Sequence, residues 1–238
     1  MEISSAPTNG AYSNIKTYSP ANQVAWFGFG SLVAFALPFV GSSVLELQHD
    51  LYLLFYGVGV TALLYSYVRA TDVDVGALFR RNWIPSLAIG VVLAVLLIFN
   101  VLSEDATERP DGIYFAFELF WRGAVYGSID ALLLTVFPCV VVLSILGGRL
   151  LTVRRKLLYF FVSLALVLTI TAIYHLGYDQ YRQDGVRGPE IGNTLISLPM
   201  LLTANPVGSV VDHAAMHMAA VAHEYETELR LPPQVEVE

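Results

Sequence analysis

Charge is what this chain is short of. Only 14% of its 238 residues are Asp, Glu, Lys or Arg, while 55% are hydrophobic and the mean hydropathy is +0.60. A water-soluble domain carries about 25% charged and 45–50% apolar residues, so both departures point to lipid as the solvent. Cysteine is nearly absent too. The single Cys139 lies in an apolar run, which excludes an intramolecular disulfide and a cysteine-based metal cluster. Excess positive charge is also lacking: the formal net charge is −7, so no basic surface for nucleic acid is expected. Nor does the start of the chain place an apolar stretch behind a basic one. Glu2, Ser4, Ser5, Pro7, Asn9, Asn14 and Pro20 make it polar, which speaks against a cleavable signal peptide and predicts a flexible N-terminal tail over 1–22.

What the chain does have is long apolar runs. A helix crossing the hydrocarbon core needs about 20 such residues. Residues 24–45, 51–68, 84–102 and 157–176 each meet that length. Residues 113–147 exceed it, so the first part, to about Tyr126, is expected to tilt or lie at the interface. The region 191–222 contains Pro199 and Asn205-Pro206. Proline removes a helical hydrogen bond and kinks or ends the helix, so two shorter helices are expected there, 191–204 and 207–222. The expected fold is all-α: a polytopic transmembrane helical bundle of six to eight membrane helices over 23–222, followed by an acidic tail over 223–238. Such a chain belongs in the cell membrane as a multi-pass protein, with lipid as its obligatory partner. Two loops are basic, one with Arg69, Arg80 and Arg81, the other with Arg149, Arg154, Arg155 and Lys156. The positive-inside rule places both in the cytoplasm and the acidic 103–112 loop outside.

Against this background the intramembrane polar groups stand out, because each charge at mid-helix costs about 2.5–3.5 kcal/mol on insertion scales. Glu118 and Arg122 share one helical face at i, i+4 spacing. They form either a neutralised structural pair or a general base with its orienting guanidinium. His213 and His217 have the same spacing, which suits metal ligation, a shared polar cavity or helix–helix glue; the Glu of an H-E-x-x-H zinc motif is missing. His175 closes the run 157–176. Asp130 opens an apolar run and is read as a cap or as a partner for a basic group, with no chemistry assigned to it.

Taken in order, these residues resemble the CAAX-protease and bacteriocin-processing (CPBP) family of glutamate intramembrane proteases, whose motifs are E-E-x-x-x-R, F-x-x-x-H and H-x-x-x-N. Glu118-Leu119-Phe120-Trp121-Arg122 is similar to the first, Thr171-Ala172-Ile173-Tyr174-His175 to the second and His213-Ala214-Ala215-Met216-His217 to the third. The resemblance spans about 113–222. The departures are Phe117 in place of the first Glu, Thr171 in place of Phe and His217 in place of Asn. The resemblance implies that Glu118 activates a water with help from His175, that Arg122 orients the carboxylate, and that His213 and His217 donate to the developing oxyanion. It implies a membrane-embedded or lipidated peptide substrate and no cofactor. Two other readings stay open. One is a zinc-dependent membrane hydrolase with His175, His213 and His217 as metal ligands and Glu118 or Asp212 as base, a version that resembles seven-span lipid-amide hydrolases. The other is a non-enzymatic membrane protein such as an immunity factor, a scaffold or a transporter subunit.

Overall fold

A computed structural model describes residues 19–226 and 230–231. Most of the expected N-terminal tail and part of the expected C-terminal one lie outside the described residues. Every element described is a helix. Five of them are long and apolar enough to cross a membrane: α1 Pro20–Val44, α2 His49–Thr71, α4 Trp83–Leu102, α5 Gly112–Ile145 and α6 Val153–His175. A short helix α3, Val75–Arg80, bridges α2 and α4, and another, α7 Asp179–Asp184, follows α6. The last two helices are α8 Arg187–Thr203 and α9 Val207–His223, of 17 residues each. By helical rise each spans about 25 Å, a little less than a ~30 Å hydrocarbon core.

Local chemistry sets the helix starts. The Ser19 side chain accepts from the Asn22 amide, Asp74 from Ala77 and Thr152 from Arg155, each supplying the N-cap oxygen that an unpaired first-turn amide needs. Pro20 stands at a first-turn position of α1, where a missing N–H removes no helical bond.

The run 113–147, expected to contain a tilted or interfacial part, forms one continuous helix. It accommodates its length by widening twice into π-type turns, at Leu119–Val125 and Leu132–Val136. Inside the bundle, 78% of its most apolar window is buried, against 28–39% for the other four long helices, so α5 is the central helix. Pro199 lies within α8, as it does in the expected helix 191–204. Its ring packs over Gly208, where a side chain would collide with it.

The break comes at 204–206. Ala204 takes a left-handed backbone, φ 53°, and Asn205 holds the turn. The Asn205 Nδ2 donates to the carbonyls of Leu78, Phe79 and Arg81 at 2.9, 3.0 and 2.5 Å, and its Oδ1 accepts from the Val207 amide at 2.9 Å. One side chain thus closes α3 and opens α9. After this turn α9 runs back between α4 and α5. Glycines make the close approach possible: a side chain at Gly90 would strike the backbone of Gly208, and one at Gly123 would meet Met218.

Contacts between helix ends define two ends of the bundle. At one, Tyr67 near the end of α2 bonds Gln23 at the start of α1 (2.9 Å) and Ser144 at the end of α5 (3.3 Å). Asn82 there bonds the Thr203 carbonyl at 3.1 Å. At the other, Ser43 bonds the Gly177 carbonyl at 3.3 Å, and the Thr107 amide bonds the His223 carbonyl at 2.9 Å. Both basic loops belong to the first end and the acidic loop 103–111 to the second.

Candidate functional site

Close contact between α5 and α9 brings three ionisable side chains together. Gly127 lies against α9 so tightly that an added Cβ would stand 2.9 Å from Ala214 Cα and His217 Cδ2. One turn along α5, the Asp130 carboxylate faces both histidines: its Oδ2 is 3.6 Å from His213 Nε2 and 3.9 Å from His217 Nε2. One potential ligand atom from each of the three residues lies within 4.8 Å of the others. All three residues are at most 4% exposed. The i, i+4 spacing stacks the imidazoles, with centroids 4.9 Å apart and planes 18° from parallel. The other carboxylate oxygen is already engaged, since Tyr56 donates to Asp130 Oδ1 at 2.5 Å. Neither ring nitrogen of His217, nor Nδ1 of His213, makes a well-formed hydrogen bond among the described residues; the Arg230 backbone lies alongside the His217 ring.

The cluster borders a cavity of about 450 Å³ between α4, α5, α6, α8 and α9. His175 lines it too. A carbonyl can only accept, so the 2.8 Å contact of His175 Nδ1 with the Thr171 oxygen makes Nδ1 the N–H and leaves Nε2 as the basic nitrogen. Around the cavity runs a chain of buried tyrosine hydroxyls: Tyr52 to Tyr178 at 2.5 Å, Tyr178 to Tyr174 at 2.8 Å, and Tyr174 to Tyr126 at 2.7 Å. Tyr174 and Tyr178 in it are i, i+4, Tyr52 stands four residues before Tyr56, the donor to Asp130, and Tyr126 one turn before Asp130. That spacing was the only trace of the network in the sequence.

Glu118 and Arg122 belong to a second cluster near the start of α5. Glu118 lies nine residues before Gly127, about 13 Å along the helix, and it does not line the cavity. Its Oε2 is 3.3 Å from His49 Nε2, 3.2 Å from the Tyr225 hydroxyl and 4.0 Å from Arg122 Nη1. The expected orienting partner is therefore the most distant of the three. Asp50 joins the group through His49, at 3.5 Å. Arg122 is fully buried, donates to the Tyr225 carbonyl at 3.3 Å and stacks over that ring at 4.9 Å. Burial first, and then the Glu118 carboxylate, push the Tyr225 phenol up, so it remains the donor to that carboxylate.

Of the residues singled out from sequence, His175, His213 and His217 share one cavity, while Glu118 and Arg122 form a separate cluster. No family model, no curated protein and no solved structure matches this chain. Asp130, given no chemistry in the sequence reading, supplies the carboxylate beside the histidine pair. Asp212, the other carboxylate considered as a base, is fully buried and is not part of the cavity wall.

Proposed function

We propose that this chain is a multi-pass protein of the cell membrane that hydrolyses a membrane-embedded or lipidated peptide. Seven helices cross the bilayer in this reading, the five long ones plus α8 and α9, with the basic loops in the cytoplasm. The peptide substrate and the kinship are those implied by the CPBP resemblance over 113–222. The observation that carries the hydrolase reading is the convergence of Asp130, His175, His213 and His217 on one cavity. In lipid such groups are expensive and gather where they act. A cavity of about 450 Å³ is the size of a small-ligand site and holds one peptide unit with its flanking side chains.

The chemistry follows from the atoms available. A water oxygen bonds to the peptide carbonyl carbon and the C–N bond breaks. The proton that the water loses goes to His175 Nε2 and from there to the leaving nitrogen. Asp130 and the two imidazoles hold the water. Glu118 takes no part in this version.

A second reading keeps Glu118 as the base, with His49 beside it; the 3.3 Å contact between their side chains is what favours it. Purified protein in nanodiscs, offered a library of membrane-spanning and C-terminally lipidated peptides with mass-spectrometric detection, separates the two. The cavity reading expects Asp130→Asn and His175→Gln to lower kcat by about 10²–10⁴, with Glu118→Gln near wild type. Loss in Glu118→Gln alone would move the reaction to the second cluster. Failure of the wild-type protein to cleave any peptide would end the peptidase reading and leave the non-enzymatic ones.

A further inference from the structure

The Asp130–His213–His217 arrangement fits a divalent metal better than it fits a hydrogen-bonded cluster. At 3.6 and 3.9 Å the carboxylate is too far from the imidazole nitrogens for hydrogen bonds, which need about 2.7–3.2 Å. Metal ligands stand at a longer separation, because each bonds the ion and not its neighbour. Bonds of about 2.0–2.1 Å in a tetrahedron leave neighbouring ligand atoms about 3.3 Å apart, so a small inward rotation of the three side chains closes the set. The surroundings agree. His217 is 4% exposed, and among the described residues neither of its ring nitrogens makes a well-formed hydrogen bond, with the Arg230 backbone alongside. Asp130 keeps one oxygen for the centre while Tyr56 holds the other, the support usually given to a ligating carboxylate. The ring stack sets both imidazoles toward the same oxygen.

We infer that Asp130, His213 and His217 bind one divalent transition metal ion, zinc being the chemical fit to two imidazoles and one carboxylate, with a coordination position left toward the cavity. Three protein ligands and an open position are the pattern of a catalytic zinc rather than a structural one. This ligand set replaces His175 by Asp130 relative to the three-histidine zinc site considered from the sequence. His175 then stays free to act on the metal-bound water. The inference rests on the hydrolase reading for its purpose but not for its geometry.

The test uses the full chain in detergent micelles, stripped with a chelator and then dialysed against zinc or cobalt(II). Metal per chain is counted by plasma mass spectrometry, and X-ray absorption on the wild-type zinc form reads the ligands. One ion per chain with two imidazoles and oxygen ligands is expected. Removing a ligand should weaken binding more than removing its hydrogen-bond partner. Tyr56→Phe, which leaves the shape intact, should therefore weaken it by about 10–100-fold, and Asp130→Asn or His217→Gln further. His175→Gln and Glu118→Gln should keep the metal. No bound ion in the wild type, three imidazoles in the absorption spectrum, or loss of metal in Glu118→Gln would each overturn the proposal. The absorption measurement needs no variant, so misfolding of Asp130→Asn leaves the test intact. Peptide cleavage that survives complete metal removal would overturn the catalytic role of the position left toward the cavity and spare the hydrolase reading. A bound metal without any cleavage would keep the metal site and end the hydrolase reading.

Discussion

Asn205 shows how much one side chain can hold in a low-dielectric interior. Its amide faces three carbonyls at the end of α3, and its oxygen takes the first free amide of α9. Asn205 is fully buried in the turn between α8 and α9, so its amide has no water to fall back on. Asn205→Ala is expected to lower stability by about 3 kcal/mol, the order of one to two buried polar groups left unpaired. Asn205→Asp should be worse, since it sets a negative charge against three carbonyl oxygens. Denaturation by SDS titration checks both, and an Asn205→Asp variant as stable as wild type would refute the donor role. Residues of this kind differ in how visible they are in a sequence. Glu118, Arg122, His175, His213 and His217 stand out because charge or imidazole inside an apolar run is conspicuous. The tyrosines do not, since tyrosine is ordinary in membrane helices near the interface. Their meaning lies in partners far along the chain: Tyr56 meets Asp130 across 74 positions and Tyr52 meets Tyr178 across 126. His49 opens α2 beside Asp50, and its contact with Glu118 joins two helices far apart in the chain.

At the scale of helices, apolar run length located the five long helices, and Asn205-Pro206 the break between α8 and α9, because a bilayer core asks for about 20 apolar residues in a row. The two widened stretches of α5 could not be foreseen. A π-type turn arises where packing favours an extra residue, and no residue type marks it. The first of them, Leu119–Val125, carries Arg122, and Asp130 lies just before the second, Leu132–Val136. Gly123 and Gly127, one turn apart on α5, set the distance to α9. Gly127→Ala is expected to destabilise the protein by about 1–3 kcal/mol, because the new methyl meets backbone atoms of Ala214 and His213 that cannot swing aside. It should also push the histidines away from Asp130 and reduce metal uptake. Gly192→Ala makes the control, since nothing lies within 4 Å of a Cβ there. Thermal unfolding of both variants side by side is the measurement. Equal midpoints would show that the α5–α9 approach is not tight.

For the molecule as a whole, the helix-end contacts place the acidic loop with the end of α9 and the basic loops together at the far end. On a Cys139→Ala background, cysteines at exposed positions 108 and 226 should react with an impermeant maleimide on intact cells. One at exposed position 154 should react only after permeabilisation. Labelling of 108 and 226 from opposite sides would mean that α9 does not return across the membrane. The return of α9 also bears on synthesis. Both imidazoles beside Asp130 Oδ2 sit on the last of the described helices, whereas Asp130 itself leaves the ribosome some eighty positions earlier. While translation proceeds, the nascent chain holds a carboxylate and no imidazole pair. The proposed metal set is then completed in one step, when the final hairpin forms, and a chain cut short before Asn205 is expected to take up no ion however well its first five long helices had folded.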